Sequence, residues 1–189
     1  MIKGVDGNDI KLLISRPKGY NLARPAVVHF HGGGMAALSA TEGMFTNWRN
    51  TLATTGMVVV GVEFRNSAGE LGPHPFPAGL NDCLAGVEWL YNNKAKFNIS
   101  KIITSGESGG GNLSLATCLK AKKENKLHLI QGVYACCPFI AGPSHYWNKS
   151  YTSMHENDNY FVGVKYNIVA PLPIAHKIMC SCCRSIFWR

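Results

Sequence analysis

The stretch that decides the fold is Ile102-Ile103-Thr104-Ser105-Gly106-Glu107-Ser108-Gly109-Gly110. Residues Ile99–Ser105 are typical of a strand, and Gly109–Lys123 of a helix, so Ser108 falls on a sharp strand-to-helix turn. The glycines at both ends of the motif allow the strand and the helix to approach that turn closely. The amide of Gly109 would then point from the helix N-terminus toward an oxyanion at a bound carbonyl. The stretch therefore predicts a nucleophile at Ser108.

A second motif precedes the first and strengthens it. His31-Gly32-Gly33-Gly34 leaves the short apolar segment Ala26–Phe30, which is typical of a strand. Glycines let backbone N–H groups reach a substrate because no Cβ intervenes, as an oxyanion hole requires. Taken alone, each motif also fits a structure without hydrolase chemistry. The first could be a tight turn or a phosphate-binding loop, and the second could be a flexible loop. The order of the two motifs, each after a strand, favours a hydrolase site.

Strand-like and helix-like segments alternate along the chain. The predicted strands are Ile10–Ser15, Ala26–Phe30, Met57–Phe64, Ile99–Ser105 and Leu129–Cys136, and the predicted helices are Glu42–Thr55, Ala78–Asn92 and Gly109–Lys123. This rhythm predicts an α/β fold with a doubly wound, mostly parallel sheet. It stops beyond Pro143. We expect a partial domain over residues 1–163 and an irregular cysteine-rich tail over 164–189, for which a shifted reading frame is one hypothesis.

Three segments resemble the hormone-sensitive-lipase-like branch of the α/β-hydrolase superfamily. Val28–Gly34 is similar to its oxyanion motif, Gly106–Leu113 to its nucleophile elbow and His74–Asp82 to the segment between them. The resemblance covers about Ile10 to Ala141, and it implies an α/β-hydrolase sheet that is incomplete at its C-terminal edge. It also implies hydrolysis of carboxylic esters of small or medium acyl chain through an acyl-enzyme, without a cofactor. The residues implied are Ser108 as nucleophile, Gly33, Gly34 and Gly109 as oxyanion donors, and His31 as a support that holds the glycine loop in shape.

The sequence does not identify the rest of a catalytic triad. In this fold an acidic residue and then a histidine follow the serine along the chain. Only residues 109–189 follow Ser108, whereas the family places both groups on loops after two later strands. The candidates are Asp158, His145, His155 and His176, and none follows a predicted strand in the required place. A catalytically inactive relative that binds a small apolar ligand or a protein partner is therefore the alternative function.

The charge distribution argues against a nucleic-acid-binding module. The chain carries 19 Lys and Arg against 11 Asp and Glu, a formal net charge of +8. The charges are scattered, and the densest group comprises Lys120, Lys122, Lys123 and Lys126. That group falls where a helix is expected to end, and cations there complement the helix dipole. We therefore expect a small-molecule ester substrate as the partner and no nucleic acid; the oligomeric state is open.

Hydropathy and cysteine content bear on location and cofactors. No apolar run approaches the roughly 20 residues of a membrane span, and the first residues show no apolar signal segment. These features predict a cytoplasmic protein whose seven cysteines are free thiols. His176 with Cys180, Cys182 and Cys183 lacks the paired spacing of zinc sites, so we predict no metal.

Overall fold

The computed structural model describes residues 1–19 and 22–139. Its strands are β1 (Ile2–Lys3), β2 (Asp9–Ser15), β3 (Arg24–Phe30), β4 (Val58–Glu63), β5 (Ile99–Glu107) and β6 (Gly132–Cys136). Its helices are α1 (Gly43–Thr54), α2 (Ala78–Asn92), α3 (Lys94–Phe97) and α4 (Gly109–Lys123), and a 3-10 turn spans Leu127–Leu129.

The six strands form one mixed sheet in the order β1-β2-β4-β3-β5-β6. Strand β3 pairs in parallel with β4 on one side and with β5 on the other, and β5 pairs in parallel with β6. Strands β1 and β2 extend the β4 side in antiparallel pairing. The chain order therefore reverses at β3, and ligands of open α/β sheets bind at the carboxyl ends of the strands beside such a reversal.

The strand residues alternate between two apolar layers, which explains why helices cover both faces. Val28 and Val60 pack in the larger core with Leu84 of α2 and Leu113 of α4. Their neighbours Val27 and Val59 point to the opposite face and pack with Ala53 of α1. Burial on both faces accounts for the nearly continuous apolar sequence of β3 and β4. The predicted doubly wound, mostly parallel α/β architecture is confirmed.

Most element bounds agree with the sequence-based prediction, and the differences have local causes. Helices α2 and α4 have the predicted limits. The strand predicted from Leu129 instead begins at Gly132, because Leu127–Leu129 forms a 3-10 turn first. Strand β1 has two residues and α3 has four, too few to show a hydrophobic period.

Strand β6 is an edge of the sheet within the described residues. Two of its large side chains are exposed, Val133 by 43% and Tyr134 by 62%. The predicted boundary after residue 163 and the tail 164–189 lie outside the described residues. Among the residues that are described, no helix has the length and apolar character needed to cross a membrane.

Candidate active site

Ser108 occupies the junction between β5 and α4, where the backbone is strained. Its φ of 53° and ψ of −116° lie in a region that residues with a side chain rarely adopt. Two hydrogen bonds hold this conformation: the Ser108 amide donates to the Cys136 carbonyl at 2.9 Å, and the Phe139 amide donates to the Ser108 carbonyl at 2.9 Å. The Ser108 side chain is exposed. The last residue of β6 and the segment after it thus fix the backbone of the elbow and leave the side chain accessible.

The two outer glycines of the elbow are required by close backbone packing. A Cβ atom at Gly106 or at Gly110 would collide with the carbonyl oxygen of Phe30, the last residue of β3. Parallel pairing places Phe30 opposite Gly106. The end of β3 therefore lies directly against the elbow, and the loop that follows β3 begins beside Ser108.

That loop carries the glycines predicted as oxyanion donors. Gly33 and Gly34 have φ values of 110° and 64°, which favour glycine. The Gly33 carbonyl accepts hydrogen bonds from the amides of Ala36 and Ala37, both at 3.1 Å, which closes the loop on itself. On the elbow side, a Cβ atom built at Gly109 would lie 2.8 Å from the Gly34 nitrogen.

The amide groups of these three glycines are free within the described residues. Neither Gly33, Gly34 nor Gly109 donates its N–H to another atom of that part of the chain. Free amides at a helix N-terminus and in a neighbouring glycine turn form a concave donor surface for an anion. The structure thus brings together Ser108 and the three glycines that the sequence singled out.

One segment, residues 66–67, anchors the loop from its far side. The Ser67 amide donates to the Met35 carbonyl at 3.0 Å, and the Asn66 side chain donates to the Leu38 carbonyl at 2.9 Å. The chain before Asn66 is fixed in turn by Arg65, whose guanidinium donates to the buried carboxylate of Asp82 in α2. The glycine loop is consequently held by hydrogen bonds to a segment that is itself anchored to α2.

His31 is buried beneath the glycine loop. Its ring stacks on Phe64 with a centroid distance of 4.3 Å, and its Nδ1 lies 2.7 Å from the Gly32 carbonyl oxygen. Burial lowers the pKa of His31 to about 4, so the imidazole is neutral at pH 7. A neutral ring that donates from Nδ1 to Gly32 fits the predicted supporting role.

The sequence analysis assigned no role to Glu107 and His29, which the structure brings to the same site. Glu107 Oε1 accepts the Gly32 N–H at 2.7 Å, and Glu107 Oε2 lies 3.0 Å from His29 Nε2. His29 is fully buried and stacks on Trp48 with a centroid distance of 4.5 Å. Two signals pointed to the pair: a histidine within an apolar strand, and an acidic residue immediately before the serine.

No catalytic base is found among the described histidines. His29 and His31 are buried as described above, His74 Nε2 bonds the Leu71 carbonyl at 2.7 Å, and His128 packs edge-on against Tyr91. The other candidates for the triad, Asp158, His145, His155 and His176, lie outside the described residues. So does the tail cluster of cysteines. Within residues 1–19 and 22–139 no three His, Cys, Asp or Glu side chains converge as a metal site would require.

Comparison with known proteins establishes the family. A family model described as the alpha/beta hydrolase fold matches residues 27–168. This chain therefore belongs to the α/β-hydrolase fold family.

Two solved structures that this chain resembles are esterases. Brefeldin A esterase, described as a bacterial homologue of human hormone-sensitive lipase, is 44% identical, with a TM-score of 0.74 over 78% of this chain and 41% of that one. Esterase Est22 is 42% identical, with a TM-score of 0.71 over 79% of this chain and 44% of that one.

Two curated proteins are similar to this chain at lower sequence identity. The carboxylesterase NlhH of Mycobacterium tuberculosis is 34% identical over 115 residues, which are 59% of this chain and 34% of that protein. Tuliposide A-converting enzyme b1 of Tulipa gesneriana is 28% identical over 138 residues, 67% of this chain and 34% of the enzyme. The chain thus spans about a third of the length of these curated relatives.

Proposed function

We propose that this protein hydrolyses carboxylic esters of small or medium acyl chain, with Ser108 as the nucleophile. The single observation that carries the proposal is that the exposed Ser108 precedes Gly109, whose backbone packs against Gly34, while the amides of Gly33, Gly34 and Gly109 donate to no other described atom. A serine at a strained turn next to free backbone donors is what acyl transfer needs. The names of the relatives, which are esterases and a carboxylesterase, support the same reaction.

The proposed reaction proceeds in two halves. The Ser108 hydroxyl oxygen attacks the ester carbonyl carbon, and the carbonyl oxygen becomes an oxyanion that accepts hydrogen bonds from the amides of Gly33, Gly34 and Gly109. Collapse of this intermediate breaks the bond to the alcohol, which leaves with a proton, and the acyl group stays on Ser108. Water then attacks the acyl-enzyme and releases the carboxylic acid.

The proton from Ser108 needs an acceptor, and the described histidines are all engaged elsewhere. The candidates for that acceptor are His145, His155 and His176, which lie beyond residue 139 and outside the described residues. His31 is excluded from this role because burial keeps its pKa low and its Nδ1 is bonded to Gly32. Its proposed role is to hold the glycine loop.

Hydrolysis of p-nitrophenyl butyrate tests the proposal. We expect the purified chain to release p-nitrophenol, and Ser108→Ala to reduce the rate by roughly a hundredfold or more, as loss of a nucleophile does in serine hydrolases. Ser100→Ala is the matched control, since Ser100 is an exposed serine on the same strand. Equal rates for the wild type and Ser108→Ala would remove the catalytic proposal.

One observation favours the alternative, a catalytically inactive relative that binds an apolar ligand or a protein partner. Val133 and Tyr134 are consecutive exposed residues of the edge strand β6, and exposed strand edges are places where other chains pair. The same assay separates the two functions, because a binding protein would show no rate that depends on Ser108. The cytoplasmic location and the lack of a cofactor stay predictions.

A further inference from the structure

Glu107 joins the two halves of the proposed site through its two carboxylate oxygens. Oε1 accepts the Gly32 N–H at 2.7 Å, and Oε2 meets His29 Nε2 at 3.0 Å. Gly32 immediately precedes the proposed oxyanion donors, and Glu107 immediately precedes Ser108. We infer that Glu107 is a positioning residue that holds the glycine loop, residues 32–34, against the turn that carries Ser108, with His29 as its buried partner. The inference rests on the proposed function for its catalytic consequence, but the contact itself can be tested without it.

The environment of His29 holds its ring with Nε2 facing Glu107. The ring is fully buried and stacked on Trp48, so it cannot turn away without opening the layer beneath α1. Its Nδ1 has no hydrogen-bond partner among the described residues. The neutral tautomer with hydrogen on Nε2 satisfies this arrangement, because Nε2–H donates to the carboxylate and only an acceptor lone pair is left unpaired.

The carboxylate is held in its charged form. Burial by itself would raise the pKa of Glu107, but the hydrogen bonds from His29 and from the Gly32 amide bring that pKa below its ordinary value. Glu107 is therefore an anion at neutral pH, and both of its hydrogen bonds are charge-assisted, which makes them shorter and stronger than neutral ones.

Only a carboxylate can accept from both donors at once. Glutamine has the same length and shape but one oxygen and one NH2 group. Its oxygen can accept from only one of the two donors, and its NH2 group then faces the other: with the oxygen at His29 the Gly32 N–H has no acceptor, and with the oxygen at Gly32 that N–H donates to a neutral oxygen in place of a charged one. In both arrangements the Gly32 amide loses its charged acceptor. Glu107→Gln therefore removes the negative charge and one of the two accepted hydrogen bonds with little change in side-chain volume. Its effect can be assigned to the carboxylate and not to altered packing.

Hydrogen exchange gives a readout that does not depend on turnover. Loss of a hydrogen bond to a charged group costs about 1.5–3 kcal/mol, so Glu107→Gln is expected to speed exchange of the Gly32 amide by roughly ten- to a hundredfold. The matched control is Glu70→Gln, since Glu70 is exposed and lies outside the site. Exchange would be followed by mass spectrometry with fragmentation across residues 31–36, and far-ultraviolet circular dichroism would confirm that each variant is folded.

Kinetics provide the second readout. With p-nitrophenyl butyrate we expect Glu107→Gln to lower kcat by at least about tenfold with KM nearly unchanged, because an oxyanion hole acts on the transition state and not on the bound ester. Glu70→Gln should match the wild type. His29→Phe keeps the stacking but removes the donor, so its effect on kcat and that of Glu107→Gln should not multiply in the double variant.

The outcomes separate the inference from the proposed function. Unchanged Gly32 exchange in Glu107→Gln would overturn the inference whatever the activity, and so would an unchanged kcat in an active protein. If the wild type shows no turnover, the ester-hydrolase proposal fails, while faster Gly32 exchange in Glu107→Gln still establishes that Glu107 holds the loop.

Discussion

Gly109 and Gly34 approach so closely that a Cβ atom built on Gly109 would lie 2.8 Å from the Gly34 nitrogen. The helix that follows Ser108 and the loop that follows β3 thus meet backbone to backbone. A methyl group at this point cannot be accommodated by rotating a side chain, since its three nearest atoms would be the Gly34 nitrogen, the Met35 nitrogen and the Gly34 Cα, all of the main chain. The spacing of the proposed oxyanion donors therefore depends on the absence of a side chain at Gly109.

We therefore expect Gly109→Ala to push the glycine loop away from Ser108 and to lower kcat for p-nitrophenyl butyrate by roughly ten- to a hundredfold. Overpacking should also lower the free energy of unfolding by about 1–3 kcal/mol. The control is Gly43→Ala at the start of α1, where a Cβ atom meets nothing within 4 Å. A Gly109→Ala protein with wild-type kcat would show that the loop has room to adjust.

The strain at Ser108 makes a prediction about stability. Its φ of 53° and ψ of −116° are accessible to glycine at little cost but are unfavourable for any residue with a Cβ atom. Such strain costs about 1–3 kcal/mol. Ser108→Gly should therefore unfold in urea with a free energy about 1 kcal/mol greater than that of Ser108→Ala, while both variants lack the Ser108 hydroxyl. Equal stability of the two variants would contradict the strained geometry.

The buried carboxylate of Asp82 predicts a large effect on stability. It is almost fully buried and accepts hydrogen bonds from the Arg65 side chain, the Arg65 amide at 3.0 Å and the Asn8 side chain at 3.0 Å. Asp82→Ala leaves the Arg65 cation without its buried partner, so we expect a loss of about 3–5 kcal/mol in the free energy of unfolding.

The comparison variant for Asp82 is Asp9→Ala, which breaks an ion pair with Lys3 whose side chains are 57% and 71% exposed. That loss should be below about 1 kcal/mol, because water screens exposed pairs. Similar urea midpoints for Asp82→Ala and Asp9→Ala would refute the difference between the buried and the exposed pair.

Acid should destabilise the protein through His31. In the folded protein the pKa of His31 is lowered to about 4 from 6.5. Between these two pH values the unfolded chain is protonated at His31 and the folded chain is not. The stability from neutral His31 is present above pH 6.5 and is lost as pH falls toward 4. Between pH 7 and pH 5 this loss amounts to about 2 kcal/mol.

Urea unfolding at pH 7 and pH 5 checks this, with His31→Gln as the variant that cannot titrate. We expect the difference in unfolding free energy between the two pH values to be smaller in His31→Gln by about 2 kcal/mol. His128→Gln, at an exposed histidine, should keep the wild-type difference. The same pH dependence in His31→Gln and the wild type would show that His31 is not the group responsible.

The sequence predicted the central part of the fold well because its signals are local. The strand at Ile99, the helix at Gly109 and the elbow between them follow from apolar periodicity and from glycines at fixed offsets. Strand β6 was placed correctly except for its start, where a 3-10 turn at Leu127–Leu129 interrupts an otherwise apolar run. Composition cannot distinguish such a turn from the beginning of a strand.

The contacts of the site were harder to predict because they join distant residues. Glu107 reaches Gly32 and His29 only after β3 and β5 pair, and Arg65 reaches Asp82 only after α2 packs on the sheet. A histidine within an apolar strand and an acidic residue before the serine are visible in the sequence, but each is compatible with several partners. Pairwise geometry decides between them.

Covalent labelling of Ser108 tests the central claim most directly. A fluorophosphonate ester reacts with an activated serine, forms a bond between the serine oxygen and phosphorus and releases fluoride. We predict a single phosphonyl adduct, located on Ser108 by peptide mass spectrometry and absent in Ser108→Ala. A folded wild-type protein that acquires no adduct at Ser108, or acquires it equally at other serines, would contradict the assignment of Ser108 as the nucleophile.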